Sequence, residues 1–392
     1  MKQWALRVLK SETVLVIASA IALISCFFVH PDKAYLSYIH YNTLAQLGSL
    51  MVVVCGFQRI GVFHKIGSSL LSRVHTVRGL VLVLTALPFF SSMLITNDVA
   101  LVTFIPFAIA VLIMAGLQER TFLVATLMTL GANLGSMLTP VGNAHNLYLK
   151  ACSLMSTGEF MAIMGPYTLA SALMLIAVIW LAFGKDGAAG LGDLQANAIE
   201  ESVFSPQPDK IHPQVQMGPC EGWRIAVYSA LFVVCLLGVG GLLPQWLMIA
   251  IVAIGFLLCD RHVFSQVDWG LLLTFVAFFI FIGNARRIPQ FYHLVSGLVG
   301  SYPLLTSVIT SQVISNVPTS LLVSGFSSSW RQIIVGTNLG GLGTLIASMA
   351  SLISYKAVVK KYPESKGHYL KVYTLWNVIF LAVLLILAFV IE

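Results

Sequence analysis

Two short polar runs stand inside otherwise apolar sequence, and any chemistry in this chain must rest on them. The first is Ser92 with Thr96-Asn97-Asp98, within SSMLITNDVALVTFIP at residues 91–106. The second is Ser311 with Ser315-Asn316, within SQVISNVPTS at residues 311–320. An unpaired polar group in hydrocarbon is costly and an ionisable one more so, so such runs are tolerated facing protein or a water-filled cavity. In each run a serine precedes the hydroxyl residue by four positions, Ser92 before Thr96 and Ser311 before Ser315. That spacing shares a helical face, so each pair can offer oxygens to one point. Asp98 is a carboxylate at membrane depth, a candidate cation ligand or proton carrier. Its structural alternative is a cap at a helix start. Two such runs in two halves of one membrane protein point to a transporter.

The elements that carry them are membrane helices. Of 392 residues, 58% are hydrophobic and only 9% charged, against about 25% charged in soluble proteins. The fold class is therefore an all-α polytopic membrane protein. The net charge of +7 reads as the Lys and Arg of cytoplasmic loops, with no nucleic acid as partner. The six cysteines are scattered and match neither a metal site nor a disulfide framework. HExxH and GxSxG motifs are absent, which argues against an enzyme. The glycines at 340, 341 and 343 lack the Lys-Ser/Thr of a phosphate loop. No cofactor is expected beyond a coupling Na+ or H+. Lys2, Arg7 and Lys10 before the apolar run Val14–Val29 have the outline of a signal peptide, but read as an uncleaved first span because the second half has a counterpart.

Along the chain the same order of elements occurs twice. Residues 1–184 form a first repeat, with a re-entrant hairpin about 77–116 and a discontinuous transmembrane helix at 121–150. Residues 185–222 read as a cytoplasmic linker, rich in Gly, Pro, Asp and Glu. Residues 223–392 form a second repeat, with a hairpin about 298–326 and a broken helix at 332–355. His30–Tyr41 reads as a polar loop, and Arg59–Arg73 as an interfacial amphipathic helix. Laying Gly131 on Gly336 matches Asn133 with Asn338, Gly135 with Gly340 and Thr139 with Thr344. Gly and Pro interrupt these helices and free backbone groups, a device for holding ions and anions at half-helix ends. Asn133, Thr139, Asn143, Asn338 and Thr344 are thus candidate ligands, and His145 a candidate lining residue that titrates near neutral pH or a satisfied structural histidine. Trp223–Leu243 has no counterpart, so an odd number of crossings inverts the second half. With the N-terminus inside, only Lys33, Lys150, Arg286, Arg287 and Arg331 of the 22 Lys and Arg fall outside. The expectation is a multi-pass protein of the cell (inner) membrane, N-terminus cytoplasmic and C-terminus outside, whose hairpins enter from opposite sides and meet near the midplane.

These residues also resemble a known group. Asn97-Asp98-x-Ala100, leading to Pro106, is similar to the first hairpin of the arsenite/antimonite permeases and citrate transporters of the ion transporter superfamily. Ser315-Asn316-Val317-Pro318-Thr319 resembles their second hairpin, GANLGSMLTPVGNAHNLYL at 131–149 their broken helix, and Gly336-x-Asn338-Leu339-Gly340 its partner. The resemblance implies scaffold and mobile regions, often in a homodimer, moving substrate by an elevator-like displacement. In the sodium-coupled dicarboxylate branch a Ser-Asn-Thr triplet at each tip binds sodium and a substrate carboxylate. Here Ser92, Thr96 and Asn97 match one cation site, and Ser311, Ser315 and Asn316 the other. The third position of the triplet is Asp98 in one tip and Val317 in the other, a departure from that pattern. The resemblance implies a secondary active transporter of a small anion, a di- or tricarboxylate such as citrate, coupled to Na+ or H+. Its alternatives are arsenite/antimonite efflux and Na+/H+ antiport. Substrate would meet Asn97, Asp98, Asn316, Thr319, Thr139 and Asn143. The ion would meet Ser92, Thr96, Asn97, Asp98, Asn133, Ser311, Ser315, Asn316, Asn338 and Thr344.

Overall fold

The computed structural model describes residues 13–71, 74–184 and 222–391. The expected linker, all but Gly222, lies outside the described residues, as do Lys2, Arg7, Lys10, Arg73, Lys185 and Lys210. Every regular element among the described residues is helical. The first half comprises α1 (Thr13–Phe28), α2 (Ala34–Tyr38), α3 (Tyr41–Arg59), α4 (Val62–Leu71), α5 (Val77–Ser91), α6 (Asn97–Met114), α7 (Thr121–Ser136), α8 (Ala144–Ser153) and α9 (Thr157–Ala182). The second comprises α10 (Gly222–Val239), α11 (Gln245–Cys259), α12 (Trp269–Arg286), α13 (Pro289–Ser301), α14 (Pro303–Ile314), α15 (Asn316–Ser324), α16 (Trp330–Leu339), α17 (Met349–Lys361) and α18 (Lys366–Ile391).

Among the described residues five helical segments are long and apolar enough to cross a membrane, α6, α9, α10, α12 and the segment Pro363–Ile391 that contains α18, and α13 with α14 would make a sixth if that bent pair is one span. This is the pattern of a polytopic membrane protein. The nineteen-residue α3 is not among them, because it carries Thr43, Gln46 and Ser49 on a buried face. Such a helix packs its polar groups against protein. The helices around the two polar runs differ in length: α6 has 18 residues and is long and apolar enough to span, whereas α14 and α15 have 12 and 9. Before α14 the chain turns by 115° at Tyr302, with Pro303 opening the new helix. Proline there has no N–H to waste and breaks continuity with the preceding turn.

The connection expected to be a loop at 30–41 contains α2 and is pinned to α12. Tyr35 donates its hydroxyl to the Val29 carbonyl at 2.6 Å and accepts from Asn284 Nδ2 at 2.8 Å. Asn284, fully buried, also donates to Ser25 Oγ at 2.9 Å. A polar segment is drawn into structure here because a buried amide needs those partners. Beside it Asp32 pairs with Arg287 at 2.8 Å, and that guanidinium holds the Asp32 carboxyl below the usual carboxylate range. At the other end of the bundle Arg59 pairs with buried Asp260 at 2.9 Å, with Arg224 at 4.0 Å.

One packing arrangement occurs in both halves. A Cβ on Gly135 would lie 2.0 Å from the Phe89 carbonyl oxygen and 2.9 Å from Ser92 Oγ, so α7 touches α5 backbone to backbone. A Cβ on Gly340 would lie 2.6 Å from Ser311 Oγ, and one on Gly336 2.6 Å from the Leu304 carbonyl oxygen, so α16 touches α14 in the same way. Small residues four apart permit this approach between membrane helices. The hydrogen bond that closes each break is repeated too: Thr139 donates to the Met93 carbonyl, and Thr344 to the Gln312 carbonyl.

The halves then cross. Phe122 packs on Tyr362 with ring centroids 5.6 Å apart, Thr129 donates to Ser354 Oγ at 2.7 Å, and Asn133 Nδ2 donates to Ser351 Oγ at 3.4 Å. Sequence number rises along α7 as it falls along α17, so the two run antiparallel. Asn338 Nδ2 donates to Asn146 Oδ1 at 2.7 Å, tying α16 to α8. The Gly131-on-Gly336 match places Asn133 over Asn338 and Asn146 over Ser351, so the two cross-half bonds are reciprocal.

Candidate functional site

Four helices begin at the breaks: α6, α8, α15 and α17. Their N-cap residues are Thr96, Asn143, Ser315 and Ser348, and none of these side chains caps its own helix. Ser, Thr and Asn at that position ordinarily accept a bond from the second or third N–H of the helix. Here the first-turn N–H groups are left to other partners, and each helix start carries the positive end of a dipole. Ser315 also holds a positive φ of 74°, uncommon for a residue with a Cβ.

The side chains join these starts. Asn133 Oδ1 accepts from Asn97 Nδ2 at 2.9 Å and from Ser348 Oγ at 3.3 Å. Asn97 Oδ1 accepts from the Asp98 N–H at 3.0 Å. The Asn316 N–H donates to the Ala347 carbonyl at 2.9 Å, and Ser315 Oγ to the same carbonyl at 3.3 Å. Ala347 and Ser348 are adjacent, so the starts of α6, α15 and α17 share one network. Asn146, in the first turn of α8, accepts from Asn338 and donates to the Ser136 carbonyl at 3.3 Å. The ends of α5, α7, α14 and α16 lie at the same breaks, and the last carbonyls of a helix have no intrahelical partner. The region therefore combines anion-favouring N–H groups with cation-favouring carbonyl and hydroxyl oxygens.

Asn97, Asn133, Asn316 and Asn338 come together in this region and are buried. Asn143 and Ser315 are buried at its helix starts, and Thr96 and Asp98 are half-buried at the α6 start. Thr319 is fully buried, and its hydroxyl has no hydrogen-bond partner among the described residues. His145 is fully buried beside Asn338 without a hydrogen bond of normal geometry.

Four further candidates give their hydroxyl hydrogens to carbonyls at the breaks or within their own helices. Ser92 donates to the Phe89 carbonyl at 3.1 Å beneath Gly135, and Ser311 to the Ser307 carbonyl at 2.7 Å beneath Gly340. Thr139 clamps its own break, also accepting from the Gly142 N–H at 3.1 Å. Thr344 is exposed and held by Gln312.

Gln312 has no place among the sequence candidates, yet it satisfies most of the second break. Its Nε2 donates to the Gly340 and Leu342 carbonyls, each at 2.9 Å, and its Oε1 accepts from the Thr344 N–H at 2.9 Å. Gly343, with φ +100°, is required beside it, since a Cβ there would lie 2.5 Å from Gln312 Oε1. Ser348 and Ser351 are the other additions. The available signal was a glutamine next to Ser311 inside an apolar run, and serines at the restart of a broken helix.

The family model for the citrate transporter matches residues 4–328. The chain belongs to the citrate transporter family. The inner membrane protein YbiR of Escherichia coli is 30% identical over 338 residues, covering 85% of this chain and 84% of its own. An uncharacterized transporter of Methanocaldococcus jannaschii, MJ0456, is 27% identical over 342 residues, 87% of each chain. The silicon efflux transporter LSI3 of Oryza sativa is 33% identical over 194 residues, 46% of this chain and 38% of its own. This citrate transporter family member is thus a membrane transporter of an anion or other solute, and not an enzyme. The family match includes the starts of α6, α8 and α15 and ends before α16.

Proposed function

We propose that the chain is a secondary active transporter of a small anion, a di- or tricarboxylate such as citrate, driven by Na+ or H+. The observation that carries this reading is the set of uncapped helix starts at the breaks, at Thr96, Asn143, Ser315 and Ser348. Helix N-termini offer N–H groups and positive potential to an anion, and the facing helix ends offer oxygens to a cation. In this reading Asn97, Asn316 and Thr319 meet substrate, while Asn97, Asn133, Ser315, Asn316 and Asn338 surround the coupling ion. The antiparallel α7 and α17, with the reciprocal bonds Asn133–Ser351 and Asn338–Asn146, support two inverted-topology repeats around that site. Such a pair suits alternating access across a cell membrane, with the N-terminus cytoplasmic.

A second reading, export of a weak oxyacid such as arsenite or antimonite, is favoured by one residue. Asp98 stands at the first tip, where a carboxylate opposes a polyanion and favours a neutral solute or a proton. The similarity to a silicon efflux transporter leans the same way.

Proteoliposome uptake of radiolabelled citrate and succinate under imposed Na+ or H+ gradients separates the two. Gradient-driven uptake that is abolished in Asn97→Ala and Asn316→Ala, with both variants still inserted, is the expected result. Wild-type flux in both variants overturns the site. No uptake of either carboxylate, with arsenite efflux present, selects the second reading.

A further inference from the structure

A separate polar cavity lies at the far ends of the helices that start at the site. It has a volume of about 830 Å3 and opens between α2, His40, α12 and Tyr292 of α13 on one side and α8, the end of α15 and the start of α16 on the other. That is within the range of small-molecule sites, roughly 300–1,000 Å3. Arg286, His40, Tyr148, Tyr292, Ser324 and Trp330 line it, and none of its lining residues is Asp or Glu. The nearby Asp32 is already neutralised by Arg287, which also donates to Tyr38 at 3.0 Å. Arg286 makes no ion pair among the described residues. Tyr148 and Ser324 join α8 to α15 across the wall at 3.0 Å, and His40 packs edge-on against Tyr148 with centroids 5.5 Å apart. The cavity thus offers a guanidinium, hydroxyl donors and an aromatic wall, with no negative side chain.

The plain alternative is that Arg286, in the last turn of α12, merely complements that helix's negative end. That role needs neither a cavity nor a lining without acids. Nine-residue α15 runs from Asn316 to Ser324, roughly 13 Å at 1.5 Å per residue. One end of it touches the breaks and the other the cavity.

We propose that this cavity is a second anion site, in which Arg286 captures a small carboxylate or oxyanion one helix length from the breaks. The choice of ligand class rests on the anion-transport reading above. A guanidinium meets a carboxylate through two parallel N–H donors, a geometry lysine cannot reproduce.

The test is calorimetric binding of citrate, succinate, sulfate and phosphate to the purified full chain in detergent. Wild type, Asn97→Ala/Asn316→Ala, and that double variant with Arg286→Gln or Arg286→Lys are compared. Binding that persists in the double variant, falls about tenfold or more with Arg286→Gln and falls less with Arg286→Lys is the expected result. In the otherwise unaltered chain Arg286→Gln should raise KM for uptake and leave kcat nearly unchanged. Binding to wild type that vanishes in the double variant overturns the second site and leaves the transport reading standing. Equal binding with and without the Arg286 guanidinium overturns it as well, and a fall in melting temperature alone assigns Arg286 to the helix end. Absence of binding by all four anions to wild type overturns both readings together.

Discussion

The reciprocal bonds between the halves give the most quantitative prediction. Asn338 Nδ2 donates to Asn146 Oδ1 at 2.7 Å with both residues buried, whereas Asn133 donates to Ser351 Oγ at 3.4 Å. A neutral hydrogen bond contributes about 0.5–1.5 kcal/mol net. Cycles between membrane helices average about 0.6 kcal/mol with a maximum near 1.7. The short buried bond belongs at the upper end, about 1–1.5 kcal/mol, and the long one below about 0.6 kcal/mol. The perturbation is a double-mutant cycle, Asn338→Ala with Asn146→Ala, set against Asn133→Ala with Ser351→Ala. Reversible unfolding in mixed micelles gives the four stabilities of each cycle, and their difference is the coupling energy. The first cycle should shift the unfolding constant by about five- to tenfold more than additivity allows, at about 1.4 kcal/mol per factor of ten. A coupling near zero for Asn338–Asn146, or one smaller than for Asn133–Ser351, refutes the claim that these bonds hold the halves together.

Other consequences follow from single contacts. Gly135→Ala places a methyl 2.0 Å from the Phe89 carbonyl oxygen, so α5 and α7 must part at about 1–3 kcal/mol, read as a lower melting temperature; an unchanged melt contradicts the backbone contact. Gly340→Ala meets Ser311 Oγ at 2.6 Å instead, so adding Ser311→Gly should recover part of the loss, which no second substitution of Ser92 can do for Gly135→Ala. Gln312→Leu removes the partners of the Gly340 and Leu342 carbonyls and the Thr344 N–H, at about 2–4 kcal/mol; melting within a degree of wild type would remove Gln312 from that role. Asp32 is held below its usual range by Arg287. Its contribution is therefore present above the unfolded value of about 3.9 and lost as pH falls through the lower folded value. Melting curves between pH 3 and 6 should lose stability on acidification more steeply in wild type than in Asp32→Asn, and identical slopes would refute the pairing.

Much of the helical class was legible from composition, because hydrocarbon leaves a chain few ways to satisfy its backbone. The places where helices stop were legible as well. Thr96-Asn97-Asp98, Thr139-Pro140, Ser315-Asn316 and Gly340-Gly341 mark breaks by residue type alone, and helices begin or end within a few residues of each. The equal spacings of Ser92 to Thr96 and Ser311 to Ser315 suggested paired ligands. Those serines also lie under Gly135 and Gly340, and each gives its hydroxyl hydrogen to a carbonyl of its own helix, Phe89 and Ser307. Spacing along one helix says which residues share a face, but not what the next helix lays against it. The loop reading of 30–41 failed for a similar reason, since the partner that orders Tyr35 is Asn284 on α12.

The amino-acid sequence by itself determined where polar groups enter the apolar chain and where backbone groups are freed. Only the tertiary structure decided which of those groups remain available. Gln312 fills one break from outside it, Ser348 and Ser351 answer Asn133 from the other half, and Thr319 is left with an unpartnered hydroxyl. Whether a buried oxygen is partnered depends on donors brought to it from about 30 residues away, as at Gln312, or from more than 200, as at Asn133, and local spacing carries no record of that meeting.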